Sequence, residues 1–372
     1  MTKIKDIVKR IYSGGTPDTR KCEYWNGNIK WLSSGETRNN FIYDTDKKIT
    51  DLGVTNSSTK LANKNSIVMA CAGQGFTRGQ TSFLMDDMYI NQSVICIEPD
   101  KDKVDGLYLY YFFKNSYQLL RKLSDDHSSR GSITTAMIKD LEVDFPNIEI
   151  QKKVSTILYN LDKKIELNNK INNNLYDISK QLLLKYLDDN KDSDEIKISE
   201  LLNVFTGKKN ANETSVNGKY KFFSCAPESL LSDTYIYDGA AIIVAGNGAY
   251  TGRTRFYDGK FELYQRTYGL TLKDNVESNN IYGLYVFMKT IFEPDKMGGT
   301  HGSAIPYIVL SDLTDYKLKY NKNEFDKFSN LVSNNIKMIQ ENEQSNEQLS
   351  QLRDTLLPKL MNGEIDLDKI EI

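Results

Sequence analysis

Two glycine-punctuated stretches hold the densest sets of side chains able to read or grip a ligand. They are Gly73-Gln74-Gly75-Phe76-Thr77-Arg78-Gly79 and Gly246-Asn247-Gly248-Ala249-Tyr250-Thr251-Gly252, each following a short apolar run. The spacing G-x-G-x-x-x-G is one residue longer than a dinucleotide fingerprint. A strand-like run also follows where a bound phosphate would need a helix N-terminus. Each stretch is therefore expected to be a hairpin between two strands. Its polar groups are Gln74, Thr77, Arg78 and Gln80 in one case, and Asn247, Tyr250, Thr251, Arg253 and Arg255 in the other. Arginine and glutamine can make bidentate contacts to guanine and adenine edges. On these residues alone, a solvated tip is the simpler reading.

No catalytic constellation accompanies them. His127 and His301 lie in Gly/Ser-rich loops without a paired acid and nucleophile nearby, so a triad is unsupported and a loop contact to a ligand or phosphate fits better. The run Asp144-Phe145-Pro146-Asn147 has the wrong order and lacks the second proline for an adenine methyltransferase motif. Asp194-Glu195-Ile196-Lys197 ends like a nuclease carboxylate motif but sits in a polar linker. No Gly-Lys-Ser/Thr closes a phosphate loop. Cys22, Cys71, Cys96 and Cys225 are scattered, which argues against a zinc site or a disulfide framework and fits a reducing cytosol.

A chain of 372 residues with 39% hydrophobic residues has room for two or three domains. Its mean hydropathy of -0.51 places it on the polar side. Its start interleaves cations with single apolar residues, unlike a secretory signal, and no apolar run approaches membrane-spanning length. Formal charge is +2 over residues 1–148, +1 over 149–193, −1 over 194–321 and −4 over 322–372. A nucleic-acid ligand would then require the cations to be gathered on one face, with a partner supplying the rest of the field.

The elements that must position these groups are long helices. From Glu149 to Leu187 no Pro or Gly interrupts an apolar repeat, and 39 residues of helix would extend about 58 Å. Read as heptads, the a positions are Val154, Leu161, Asn168, Leu175 and Leu182; the d positions are Ile157, Lys164, Ile171, Ile178 and Lys185. A seam of this kind needs a partner helix. A looser version runs from Glu324 to Leu360, with Phe328, Leu349 and Leu356 as its pairing residues.

The globular parts repeat as well. Lys3-Ile4-Lys5-Asp6-Ile7 answers Lys197-Ile198-Ser199-Glu200-Leu201, and Lys30-Trp31-Leu32-Ser33 answers Lys221-Phe222-Phe223-Ser224. The two glycine stretches correspond, as do the aromatic-rich Leu107–Lys114 and Ile281–Lys289 and the pairs Gly131-Ser132 and Gly302-Ser303. The expected order is a globular region (1–148), a helix and linker (149–193), a second globular region (194–321), then a helix and tail (322–372). Ser66–Ala72, Ala240–Ala245, Tyr89–Glu98 and Leu263–Leu272 read as strands. Leu107–Lys122 and Ile281–Phe292 read as helices with aromatic core faces.

The assembled motifs resemble the DNA specificity (S) subunits of type I restriction-modification systems. Ser13-Gly14-Gly15-Thr16-Pro17, Tyr24-Trp25 and Ile29-Lys30-Trp31-Leu32-Ser33 look like the opening of that family's target recognition domain. Ile150-Gln151-Lys152-Lys153-Val154 with Leu161 to Asn168 is similar to its first spacer helix. Leu352 to Leu360 with Gly363-Glu364-Ile365 is similar to its C-terminal ending. The second half departs from the pattern, with Thr206-Gly207-Lys208-Lys209 in place of Gly-Thr-Pro and a polar stretch from Gln340 to Gln348.

The resemblance implies an α+β fold: two pseudo-repeated mixed α/β target recognition domains separated by two long antiparallel, coiled-coil-like helices. Each domain would read one half of a bipartite, asymmetric target in double-stranded DNA. It further implies two methyltransferase (M) subunits and, in the full complex, restriction (R) subunits as partners. S-adenosylmethionine, ATP and magnesium are expected on those partners, with no cofactor, metal or catalytic residue in this chain, which would lie in the cytoplasm away from membranes. Besides the glycine-stretch residues, Gly15, Thr16, Gln92, Ser129, Arg130, Lys208, Lys209, Arg266, His301 and Ser303 are candidate DNA contacts. The competing reading is a coiled-coil scaffold with two ligand-binding domains and no nucleic acid. The target bases are not legible, because loop readout has no linear code here.

Overall fold

In the computed structural model, residues 1–73, 75–125, 131–292, 306–365 and 367 are described. Contacts divide the chain into two units, Met1–Ile165 with Glu347–Ile372, and Glu166–Asn346. Each unit therefore owns one globular region and one part of each long helix. The helices span Ile148–Asp189 and Lys322–Met361. Among the described residues, none of the helices is long and apolar enough to cross a membrane.

The first unit contains a five-stranded sheet in the order Val8–Ser13, Val94–Pro99, Ile67–Ala70, Thr81–Leu84, Phe41–Ile42. A four-stranded sheet runs Lys47–Ile49, Trp25–Leu32, Met88–Ile90, Lys60–Ala62. The run expected as one strand, Tyr89–Glu98, is two, because Asn91–Ser93 turn between the sheets; the Asn91 side chain accepts from the Ser93 N–H at 3.0 Å. The expected helix Leu107–Lys122 is likewise two, Gly106–Asn115 and Tyr117–Asp125, breaking at Ser116. Its aromatic face is core: Tyr108, Tyr110, Tyr111 and Phe113 are fully buried against Val154 and Leu158 of the first long helix and Leu357 and Leu360 of the second.

The second unit repeats the plan with a six-stranded sheet ordered Leu202–Thr206, Thr267–Leu272, Tyr237–Ala245, Thr254–Leu263, Tyr220–Phe223, Leu230–Ser232. Leu263–Leu272, expected as one strand, is broken by a turn at Tyr264–Arg266. Helix Asn280–Ile291 packs its apolar side with Leu183 and Tyr186 of the first long helix and Phe325, Phe328, Val332 and Ile336 of the second. In both units a short strand near the start pairs with the strand leading into a long helix: Thr2–Lys3 with Glu142–Val143, and Glu195–Lys197 with Lys317–Lys319.

The a positions Val154 and Asn168 are buried as expected, but the d side of the seam is displaced by one residue: Ile171 and Ile178, expected inside, are 41% and 54% exposed, while their neighbours Asn172 and Ser179 are buried. A one-residue shift turns a helix face by about 100°, and hydrogen bonding makes this polar face viable. Asn168 Nδ2 donates to Asn346 Oδ1 at 2.8 Å, Asn342 Nδ2 to Asn172 Oδ1 at 2.8 Å, and Asn335 Nδ2 to Ser179 Oγ at 3.1 Å. Of the other expected seam residues, Val154 and Phe328 are buried, whereas Ile157, Leu161, Leu175, Leu182, Leu349 and Leu356 are half-buried.

In the first unit the same face carries Asp162, whose side chain is 1% exposed. Arg353 Nη1 donates to Asp162 Oδ1 at 2.6 Å, the Tyr111 hydroxyl to Oδ2 at 2.8 Å and Asn40 Nδ2 to Oδ1 at 3.2 Å. Lys114 Nζ lies 3.8 Å from Oδ2, and burial lowers its pKa to about 8. Asp162→Ala is expected to lower the unfolding free energy by about 3–5 kcal/mol, because Arg353 and Lys114 then lose their buried counter-charge. The double variant Asp162→Leu, Arg353→Leu should recover part of that loss in urea unfolding. Equal losses in both variants would refute this account of the site.

Candidate nucleic-acid interface

Several loops of the first unit converge at one end of its five-stranded sheet. The stretch after Ala70 forms the expected hairpin between antiparallel strands, closed by Gly79 N–H to Ala70 O at 2.9 Å and Ala70 N–H to Gln80 O at 2.9 Å. Gly73, Gly75 and Gly79 have φ of 131°, 67° and 88°, in the region that favours glycine. Helix Tyr117–Asp125 holds the tip from behind: the Tyr117 hydroxyl donates to Phe76 O at 2.9 Å and Arg121 Nη1 to Gly75 O at 2.5 Å. The Phe76 side chain, on this pinned backbone, is 82% exposed. Burying a phenylalanine is worth roughly 1.5–3 kcal/mol, so this ring is a group available for contact. Phe76 carries no polar group that would mark it as a contact in the sequence; the available signal is an aromatic residue directly after a turn glycine.

The structure corrects the placement of Arg78. It is buried beneath the hairpin rather than at its tip, and its guanidinium pairs with Asp125. Arg78 thus props the loop. Thr77 and Gln80 are half-buried at its base. Gly15 is buried, donating to Ile90 O at 3.1 Å and accepting from Trp31 Nε1 at 3.3 Å; a Cβ there would strike Ser58. It allows close backbone packing and is not available for contact. The Thr16 hydroxyl bonds the Gln92 side chain, and Gln92 is exposed beside the hairpin base, where Cys71 N–H donates to Ser93 O at 2.9 Å. Gln74, Ser129, Arg130, His127, His301 and Ser303 lie outside the described residues.

In the second unit the corresponding hairpin presents Tyr250, 40% exposed, with the Arg253 guanidinium 4.3 Å from its ring centre. The backbone is braced by Gly248 N–H to Pro306 O at 3.1 Å and Gly246 N–H to Arg266 O at 2.9 Å. The buried Thr251 hydroxyl lies 2.7 Å from Gly248 O and 2.8 Å from Pro306 O, so it serves the turn. Arg255 is also turned inward, donating to Ala226 O and, at 2.6 Å, to Pro227 O; burial and the neighbouring Arg253 charge lower its pKa. Asn247 accepts from the Cys225 thiol at 3.1 Å. Lys209 is committed to Ser232 at 2.9 Å, Thr234 at 2.6 Å and Glu262 at 3.6 Å, whereas Lys208 and Arg266 are exposed.

Each unit therefore offers a braced hairpin with an accessible ring. In one the ring is Phe76; in the other it is Tyr250, with the Arg253 guanidinium over it. In the major groove of a duplex such rings suit apolar contact with a thymine methyl and, for Arg253, bidentate contact to a base edge. Among the described residues, no group of three His, Cys, Asp or Glu could hold a metal ion.

Comparison with known proteins agrees with this picture. The sequence matches the family model described as the type I restriction modification DNA specificity domain over residues 1–176 and again over 190–349. It is 25% identical to the type I restriction enzyme MjaIX specificity subunit of Methanocaldococcus jannaschii over 412 aligned positions, covering 99% of this chain and 94% of that protein. It is 30% identical to the EcoDI specificity subunit of Escherichia coli over 176 positions, 46% of this chain and 38% of that protein. The fold is similar to the crystal structure of a type I restriction-modification S subunit from M. genitalium, with TM-score 0.65 and 18% identity over 97% of this chain and 95% of that one.

Phe76→Ala is expected to weaken duplex binding by roughly 1.5–3 kcal/mol, the range for burying a phenylalanine side chain, with the thermal unfolding midpoint unchanged. Arg78→Ala should instead lower that midpoint as well, because the hairpin loses its prop. Wild-type affinity in Phe76→Ala, measured by fluorescence anisotropy, would remove the tip from the interface.

Proposed function

The chain belongs to the type I restriction-modification DNA specificity family, and from that premise we propose that its two units read the two halves of one bipartite, asymmetric DNA target. As a specificity subunit it is not itself an enzyme. The observation that carries the proposal is the double match, once on each globular region, joined to two braced hairpins with different exposed groups. Phe76 in one and Tyr250 with Arg253 in the other would favour different bases, so the half-sites differ. The two long helices set how many base pairs go unread between them.

The chemistry is supplied by partners. Two methyltransferase subunits carrying S-adenosylmethionine would modify an adenine in each half-site, and restriction subunits would bring ATP and magnesium. The outward row Leu167, Ile171 and Ile178 on the first long helix, with Leu331 and Met338 on the second, is apolar and exposed. Rows of this kind on a helix support docking of another helix.

Co-expression with the companion methyltransferase, followed by sequencing for N6-methyladenine, should yield a split, asymmetric motif. Methylation unchanged after removal of this chain would overturn the proposal. Inserting one helical turn into the first long helix alone should abolish methylation, while matched insertions in both helices should restore it with a longer unread spacer.

A further inference from the structure

Strand Val8–Ser13 forms one edge of its five-stranded sheet, paired on a single side with Val94–Pro99. Along this edge runs a groove of about 770 Å³, walled by the strand, by Lys60, Leu61 and Asn63, by Lys5 from the preceding helical turn and by Lys139. Its lining holds five cations, Lys5, Lys9, Arg10, Lys60 and Lys139, and no acid. One charge is answered from below. Arg10 forms a two-pronged bond to Glu98, with both N–O distances 2.8 Å, and Glu98 also takes Asn63 Nδ2 at 3.1 Å. On the rim Asp140 is held by Lys3 at 3.1 Å. Among the described residues, Lys5, Lys9, Lys60 and Lys139 make no ion pair, and all four are exposed. Tyr12 forms the floor between Arg10 and Lys60, its ring centre 5.3 Å and 5.7 Å from their charges and its hydroxyl fixed 2.6 Å from Leu61 O.

We propose that this groove holds the phosphate backbone of the duplex whose bases the hairpin of the same unit reads. The inference rests on the DNA-reading role given above and adds a place where the backbone is held. Four unpaired cations in one channel carry far more local charge than a chain of formal net charge −2 would offer on average. Charge collected in this way attracts a polyanion despite an acidic total. The cations left free are lysines, flexible point charges suited to phosphate and poor at discriminating base edges. Position fits too. The strand is six residues long, roughly 20 Å, and its far end, Ser13, pairs with Ile95, next to the Val94–Ala70 pair from which the hairpin springs. A hairpin entering a major groove about 12 Å wide has flanking phosphates within that reach.

The test uses the chain assembled with its methyltransferase and a duplex carrying the recognised target, beside a scrambled duplex. Affinity is measured at several potassium chloride concentrations for wild type, for the triple variant Lys5→Gln, Lys9→Gln, Lys60→Gln, and for the matching Lys→Arg triple. The glutamine variant should weaken binding to both duplexes by up to a few hundredfold at 0.1 M salt, and its log–log salt slope should fall by about 2.7, close to 0.9 for each phosphate contact. The arginine variant should keep the wild-type slope. An unchanged slope in the glutamine variant overturns the groove assignment while target preference, and so the DNA-reading role, stands. Loss of assembly with the methyltransferase and normal DNA binding once assembled also overturns it, by making the groove a seat for an acidic protein segment. Absence of target preference in the wild type counts against the DNA-reading role, and the slope on the scrambled duplex still decides the groove.

Discussion

A carboxylate taken out of water must be surrounded by donors and cations, and Asp162 is held by both. Asp162 stands on the first long helix and its partners come from two other parts of the chain: Asn40, Tyr111 and Lys114 from the globular region, and Arg353 from the last helix. An apolar contact tolerates sliding, whereas this set of bonds is satisfied in one arrangement. The hairpin depends on that arrangement indirectly. The helix carrying Tyr111 and Lys114 is followed at once by the helix whose Tyr117 and Arg121 hold the hairpin tip. Fixing one fixes the base from which the other is braced.

The second unit reaches the same end with neutral groups. Its seam uses Asn168, Asn172, Ser179, Asn335, Asn342 and Asn346. Amides donate and accept, so paired asparagines can satisfy each other without carrying charge into the interior. A polar seam costs stability relative to leucine and restricts register. It also leaves Leu167, Ile171 and Ile178 of the same helix facing outward.

That choice explains where sequence reading succeeded and where it slipped. The duplication, the hairpins and the aromatic core helices were legible because they rest on order, glycine spacing and apolar density. The helix register was not. The heptad pattern places Asn168 in the seam, where it is buried, but it also places Ile171 and Ile178 there, and the buried residues are their neighbours Asn172 and Ser179. Binary patterning assumes that the most apolar face is the buried one, an assumption that fails where amides can pair across the interface. Arg78 slipped for a related reason. A charged side chain in a glycine-rich loop reads as solvent-facing, but Asp125, far away in sequence, makes its burial tolerable. Partners of this kind are tertiary facts and leave no local spacing to detect. Phe76 failed in the opposite sense, as an apolar residue that the fold keeps in water.

The contrast between the two hairpins indicates how recognition can vary on a constant frame. In the first, the tip is held by side chains, Tyr117 and Arg121, acting on tip carbonyls. In the second, backbone groups do the same work through Pro306 O and Arg266 O. Either way these bonds run through main-chain atoms of the loop, so Phe76 and Ala249 are spared structural duty. Phe76 and Ala249 follow equivalent glycines, and nothing in the bracing requires one or the other. A loop built in this way can change what it presents without altering the sheet beneath it. The inward-turned Arg78 and Thr251 lack that freedom, since each holds up its own loop, and Arg255 is tied to the carbonyls of Ala226 and Pro227. The outward side chains of such a loop are therefore free to vary, and the inward ones hold its geometry.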